Sequence, residues 1–469
     1  MGAVDPEREL LRRTADRAAD FLAGLDERPV RESASVEELR AALGGPLPEE
    51  PAEPASVLDE LADAAEPGVV AIAGGRYFGF VIGGALPASL AADWLASTWD
   101  QNAGLYVAGP SAAVVEEVAG EWLADVLGLP EGVSVAFVTG CQMAHATALL
   151  AARHEVLARA GWDVEVEGLH GGPRVRVLVG AERHVTVDRA LRFLGVGASQ
   201  LEVVEADAQG RMRAEPLREA LAGTDGPTIV CAQAGNVNTG SFDPIDELAD
   251  AAQETGAWLH VDGAFGMWAH ASPRLRHLVA GVGRADSWAC DAHKWLNVPY
   301  DSGLAFCAHP EAHRAALAVH AAYLVQSEPG AERDEMDWTP EFSRRARGFA
   351  VYAALRQLGR SGVADLVDRC CAHARRFAEL LDGHDGARVL NDVVLNQVLV
   401  RFADDDEITR DVVARVQRDG TCWLSGTTWH GVTAMRISVS NWRTTAADVE
   451  RSADAILAAA RAASLQEVR

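Results

Sequence analysis

From about residue 76 to residue 325, short apolar runs rich in β-branched side chains alternate with stretches whose apolar positions recur at helical spacing. The runs at 133–138, 175–179, 201–204, 228–231, 258–261 and 287–290 read as strands; 112–127, 143–160, 185–195, 214–222 and 244–255 read as helices. Most of these strands are apolar throughout rather than alternating, the pattern of parallel strands covered by helices on both faces. The alternation of the two element types predicts βαβ units. Ahead of them, residues 5–43 read as two helices, the second announced by Ser33 and Ser35 before Val36. A linker rich in Pro, Glu and Ala follows at 44–56, then a short helix at 56–65. Beyond about residue 342, a long helix at 343–358 leads into a smaller α/β unit. Its strands are expected at 397–401, 421–425 and 434–439, and its last helix at 446–463. The pattern therefore divides the chain into an N-terminal helical arm (1–75), a large domain (76–342) and a small C-terminal domain (343–469).

Composition narrows the class. A chain of 469 residues with 49% apolar content has ample material for a large core. The longest window free of Asp, Glu, Lys and Arg, 132–152, is long enough to span a bilayer. Thr139, Gly140, Gln142 and His145 interrupt it, so a buried strand, turn and helix are expected there and no membrane span. The first residues lack a basic stretch followed by an apolar one, so no signal peptide is expected. The 7 cysteines are scattered and none forms a C-x-x-C pair. That usage suits a reducing cytoplasm and predicts neither a disulfide framework nor a metal centre. The net charge of −26 is spread along the chain and repels nucleic acid and anionic membranes, so neither is expected as a partner.

The chemistry concentrates in two short stretches, His260-Val261-Asp262-Gly263-Ala264 and Asp291-Ala292-His293-Lys294-Trp295. Lys294 is the only lysine in the chain and follows a predicted strand. Asp262 ends another, where active-site groups of open α/β sheets gather. A pyridoxal phosphate (PLP) enzyme needs this pair: a lysine to form an imine with the cofactor aldehyde, and a carboxylate to keep the pyridine nitrogen protonated. Gly263 and Ala264 are small enough for ring and backbone to approach closely. The cofactor phosphate needs backbone N–H donors at a helix start. Thr139, Gly140, Cys141 and Gln142, between a strand and a helix, are the candidates. Asn236, after the strand ending at Cys231, stands where it can meet the cofactor's phenolic oxygen.

Together these residues resemble the group II PLP-dependent amino-acid decarboxylases, which include the aromatic amino-acid, glutamate and diaminobutyrate decarboxylases. The resemblance spans about residues 70–445 and takes in Tyr77-Phe78-Gly79-Phe80, Gly109-Pro110-Ser111 and Arg344-Arg345-Ala346-Arg347. It implies an α/β chain of PLP fold type I, with a mostly parallel seven-stranded large domain and a smaller C-terminal α/β domain. It also implies a cytoplasmic homodimer whose N-terminal arm wraps the partner subunit. His184 is implied to stack on the cofactor ring, and Asp291 and His293 to contact cofactor or substrate. Phe80, Val81 and Ile82 are implied to line the substrate side, with Leu105 and Tyr106 arriving from the partner. That wall is mostly apolar, which favours an amino acid with an apolar or aromatic side chain.

The resemblance fails at one place. Such decarboxylases carry a tyrosine on a mobile loop that reprotonates the substrate carbon, and the corresponding loop here, 324–338, has none. The loop still reads as a lid. Glu335 stands where the tyrosine would be; Glu335, Tyr323 at the loop base or a water are the candidate donors. The expected reaction is α-decarboxylation of an L-amino acid to an amine and CO₂. Transamination, or oxidative deamination to an aldehyde, is the alternative on the same scaffold. Arg436 separates them: an aminotransferase pins the substrate carboxylate with a two-pronged arginine, whereas pairing with a core carboxylate favours decarboxylation.

Overall fold

The computed structural model describes residues 5–223, 226–319, 324, 326 and 332–467. Seven strands form the larger sheet: β1 (Ser134–Val138), β2 (Arg176–Gly180), β3 (Leu201–Val204), β4 (Thr228–Gln233), β5 (Trp258–Asp262), β6 (Ser287–Asp291) and β7 (Gly303–Cys307). Their order is β1-β7-β6-β5-β4-β2-β3. Six of them match the apolar runs. β7 was not expected, and it is antiparallel to both neighbours, β1 and β6. The reason is the connection: a parallel return needs a crossover, usually a helix, and β6 and β7 are joined only by the short turn that carries Lys294. Alternate residues of one strand enter two separate cores, Leu178 and Val230 on one face, Val177, Val179 and Ile229 on the other. This is the doubly covered sheet that the continuous apolar runs implied.

The small domain holds a second sheet of β8 (Ala387–Val389), β9 (Gln397–Phe402), β10 (Ser425–Trp429) and β11 (Val432–Ser438) in the order β10-β11-β9-β8. The strand expected at 421–425 is displaced to 425–429. Trp423, in the apolar stretch that suggested it, pairs instead with residues 76–78: Phe78 N–H donates to Trp423 O at 2.7 Å, and Trp423 stacks on Tyr77. β10 and β11 are joined by His430 and Gly431, both in the left-handed region that a two-residue hairpin turn requires (φ 46° and 82°). The long helix begins at Gly348 rather than 343 and runs to Leu381, broken at Gly359 (φ 61°).

The arm comprises helices Pro6–Ala23, Val36–Leu43 and Pro54–Ala65. Ser35, one of the two residues of the start signal, caps the second, and Glu38 returns the bond to its backbone. None of the three buries a residue within the chain. Among the described residues no helix is long and apolar enough to cross a membrane.

Candidate active site

The C-terminal ends of β4, β5 and β6 lie side by side, with Gln233 in register with Asp262 and Asp262 with Ala289. β1 runs parallel to β6 across β7, so its end, Val138, reaches the same edge. From there Thr139 and Gly140 cross into the helix Cys141–Arg159. Gly140 lies against β7 so closely that a Cβ on Gly303 would sit 2.4 Å from Gly140 Cα; any side chain at 303 would push the helix start away.

Asp291 ties this edge together. One carboxylate oxygen accepts the Cys141 N–H at 2.6 Å, and the other lies 2.9 Å from Lys294 Nζ. Burial alone would lower the lysine's pKa, but the charges of Asp291, Cys141 and Asp262 reverse this and raise it. Asp262 is buried, accepts the Ala264 N–H at 3.1 Å, and has His145 Nε2 at 3.5 Å. Burial pushes this carboxyl up; His145, followed by His184 and Lys294, outweighs burial and holds it well below the usual range. Asp262 therefore stays ionised inside the protein, the state a pyridine-nitrogen partner needs.

His184 is the N-cap of helix Val185–Phe193, with Nδ1 2.8 Å from Thr186 Oγ1. Burial lowers its pKa, against the pull of Asp262, so the ring is neutral and free to lie against another ring. Capping fixes its orientation, so the two roles are compatible.

The phosphate seat fits its ligand. Both polar atoms of the Gln142 side chain are buried at the helix N-terminus without a partner, as is Ser302 Oγ. Ser302 N–H donates to His293 Nδ1 at 3.1 Å, and His293 packs beside Gly140. A phosphate oxygen would have to displace Asp291 from the Cys141 N–H, since both seek the same donor. Among the described residues, Cys141, His145 and Asp262 form the one group whose ligand atoms all lie within 4.8 Å of one another. Its carboxylate is the buried, ionised Asp262.

Several expected positions lie elsewhere. Asn236 is committed to its own turn: Nδ2 donates to Glu182 O at 3.0 Å and Gln233 Oε1 at 3.1 Å, and Oδ1 accepts from Asn238 and Thr239. It has no donor left for a cofactor oxygen. The strand-end amide beside Asp262 is Gln233, missed because β4 runs two residues past the apolar run. Phe80 is exposed and stacks on Trp423 at 5.5 Å. Val81 points into the core and Ile82 packs against the cluster of Leu25, Val30 and Tyr77. Phe80 and Val81 both have left-handed φ (58° and 74°), a strained conformation for a bulky or β-branched residue, of the kind found at functional sites. This segment abuts the lysine turn: Gly84 N–H donates to Asn297 Oδ1 at 2.7 Å. Leu105 and Tyr106 are half-buried against the 332–338 stretch, with Tyr106 N–H on Asp334 Oδ1, and within this chain no described contact joins them to Lys294.

Glu335 is neither a solvated loop charge nor a neighbour of the lysine in any described contact. It is buried, 3.0 Å from Arg333 Nε, beside the buried pair Arg344–Glu116. Arg333 also bonds Val135 O, which lays this stretch along β1. Tyr323 and residues 325 and 327–331 of the expected lid lie outside the described residues. Tyr300 was overlooked: it stacks on His293 at 4.2 Å, with its hydroxyl in electrostatic reach of Lys294. Arg436 pairs with no carboxylate among the described residues. Its Nη1 reaches only Val237 O at 3.4 Å, Nε has no partner, and burial pulls its pKa down to about 10.

The model of the pyridoxal-dependent decarboxylase conserved domain matches residues 37–403. An aromatic-L-amino-acid decarboxylase of Bacillus atrophaeus is 28% identical over 458 residues, covering 94% of this chain and 93% of that one. An acidic amino acid decarboxylase of Bos taurus is 30% identical over 326 residues, covering 67% of this chain and 61% of that one. The crystal structure of Oryza sativa TDC with PLP and tryptamine superposes with a TM-score of 0.90 at 25% identity, covering 98% of both chains.

Proposed function

The chain belongs to the pyridoxal-dependent decarboxylase family and is a PLP-dependent carboxy-lyase of amino acids with the type I fold; from that premise we propose that its substrate is an L-amino acid with an apolar or aromatic side chain. The observation that carries the site is the convergence of an ionised buried Asp262, Lys294 and a neutral His184 beside a helix start with unpartnered polar atoms. The exposed ring of Phe80, on a segment that abuts the lysine turn, supports the aromatic preference, since flat rings gain from offset stacking.

Bound at Lys294, the cofactor supplies the electron sink for the pair left when the C–COO⁻ bond breaks. Lys294 must first lose a proton, and Asp291 is the base in contact with it. Asp262 would hold the proton of the ring nitrogen, and His184 would cover a ring face. The helix start, Gln142, Ser302 and His293 would hold the phosphate. In place of Glu335, we assign proton return to the substrate carbon to Tyr300, so Tyr300→Phe is expected to slow turnover about a hundredfold, the low end for a general acid. Unchanged turnover in that variant would remove Tyr300 from the mechanism. The arm, whose three helices bury no residue in their own chain and which exposes Leu11, Leu47 and Leu61, is assigned to packing on a second copy. Its deletion should convert a dimer to a monomer in sedimentation.

One observation favours a second reading. Arg436 has no carboxylate partner and an open Nε, the condition under which an arginine can pin a substrate carboxylate and transamination gains. A product assay decides: amine with CO₂ for decarboxylation, oxo acid with CO₂ retained for transamination, aldehyde with peroxide for oxidative deamination. A panel spanning tryptophan, tyrosine, leucine and glutamate tests the substrate class, and glutamate as the preferred member overturns it.

A further inference from the structure

Behind Asp262 runs a chain of buried rings that the chemistry above does not use. His145, one turn into helix Cys141–Arg159, is wholly buried, with Nε2 3.5 Å from Asp262 Oδ1. Its Nδ1 lies 2.9 Å from His260 Nε2, on β5 two residues before Asp262. His260 Nδ1 lies 2.9 Å from Ser287 Oγ on β6, and Trp258 Nε1 donates to the same oxygen at 2.9 Å. His260, Ser287 and Trp258 are as fully buried as His145. Burial holds His260 neutral, with its pKa pushed down to about 3.

The hydrogens can be placed by counting donors and acceptors. Trp258 only donates, so it occupies one lone pair of Ser287. The single Ser287 hydrogen has His260 Nδ1 as its described acceptor. A neutral His260 then carries its proton on Nε2 and gives it to His145 Nδ1. With Nδ1 accepting, His145 carries its own proton on Nε2, the nitrogen that faces both Asp262 Oδ1 at 3.5 Å and Cys141 Sγ at 3.4 Å, and of these the carboxylate is the stronger acceptor. The chain thus turns an N–H, and not a lone pair, toward the carboxylate.

We propose that His145 is a positioning residue for Asp262: fixed by His260 and Ser287, its Nε2–H holds the carboxylate in the orientation that meets the cofactor's ring nitrogen. The logic is that of a carboxylate fixing the tautomer of a catalytic histidine, run in the opposite direction. A buried histidine in a satisfied core is the ordinary alternative, and it predicts packing effects only. The proposal rests on the assignment of Asp262 as the ring partner, so the test carries Asp262→Asn beside it.

The experiment uses the holoenzyme of His145→Leu, His145→Gln, Ser287→Ala and Asp262→Asn, each checked for native melting and circular dichroism. The readouts are the pH midpoint of the bound cofactor's visible band, cofactor dissociation, and kcat against KM. In His145→Leu the band midpoint should move upward, because a less protonated ring makes the lysine link more basic. Its kcat should fall about ten- to hundredfold with KM little changed, the size seen when the partner behind a metal-bound histidine is removed. Glutamine can present an N–H to Asp262 and an oxygen to His260, so His145→Gln should recover most of both. Ser287→Ala should shift both readouts the same way by less, which keeps the proposal testable if His145→Leu fails to fold. A folded His145→Leu whose midpoint and kcat stay within about twofold of the parent, beside a crippled Asp262→Asn, overturns the role of His145. If Asp262→Asn is equally silent, the assignment of Asp262 itself has failed.

Discussion

Burial has opposite outcomes in two groups of charges in this protein. Asp262 lies beneath the sheet edge, and its carboxyl is held well below the ordinary range. Glu116 is just as buried and sits 2.8 Å from Arg344, yet its carboxyl is pushed up, as is that of Glu335 beside it. The difference is in what surrounds each group. Asp262 accepts a backbone N–H and faces His145, His184 and Lys294, and among the described residues no second carboxylate is one of its main influences. Glu116 shares one guanidinium that also serves Ala103 O and Phe137 O, and it faces the like charge of Glu335. Among the described residues one Glu116 oxygen, the second Glu335 oxygen and Arg344 Nε lack hydrogen-bond partners, and Arg333 alone faces the first Glu335 oxygen. In these two groups it is the facing cations and the absence of a like charge, rather than depth, that decide whether a buried carboxylate can serve as a permanent negative charge.

The sharpest way to break this contrast is at the first site. Lys294→Ala should abolish any borohydride-reducible link to the cofactor, since no other side-chain amine exists in the chain. A stoichiometric link surviving in that variant contradicts the assignment. Asp262→Ala should cost about a thousandfold in kcat, or ~4 kcal/mol of transition-state stabilisation, with cofactor still retained through the phosphate seat. Near-normal turnover would mean that the permanent charge has another task.

Much of this first site was legible in the sequence, because its chemistry demands particular residue types at strand ends. Lys294 and Asp262 stood out as the only lysine and a carboxylate closing an apolar run. The strands that position them were visible for the same reason: continuous apolarity marks a doubly covered sheet. What was hidden depends on partners distant in sequence. Gly303–Cys307 is a run of small and apolar residues after an irregular turn, and only its place between β6 and β1 makes it a strand. Gln233 and Asn236 differ by two residues of strand length that no periodicity encodes. Glu335 sits in a polar stretch that reads as solvated, and its burial comes from Arg344 and β1, both outside any local window.

At the second site the expected damage is to stability rather than to chemistry. Arg344→Met leaves Glu116 without its cation and removes the donors to Ala103 and Phe137. Breaking a buried pair from one side costs about 3–5 kcal/mol, read as a lower denaturant midpoint. The folded fraction should keep a kcat close to the parent's. A large loss of kcat at full folding would join this cluster to the active site and dissolve the contrast.

The smallest effect is expected from Glu335→Gln, and it bears on the contrast most directly. If Glu335 returned the proton to the substrate carbon, removing its acid would slow that step, and a coloured intermediate would build up in single-turnover absorbance. Its place beside Arg333 and Arg344 predicts a trace matching the parent's. The change should appear in the pH dependence of stability. Burial raises both glutamates, so the folded state holds protons that the unfolded chain releases. That contribution is full below the ordinary carboxylate value of 4.5 and is lost as pH climbs to about 7, so the parent's melting temperature should fall across this window. An amide at 335 cannot titrate, and it removes the like charge that helps to lift Glu116. The variant should therefore decline less steeply, by about 1 kcal/mol over the window. A decline as steep as the parent's would mean that Glu335 is already paired as an anion, and that the two buried regions are alike after all.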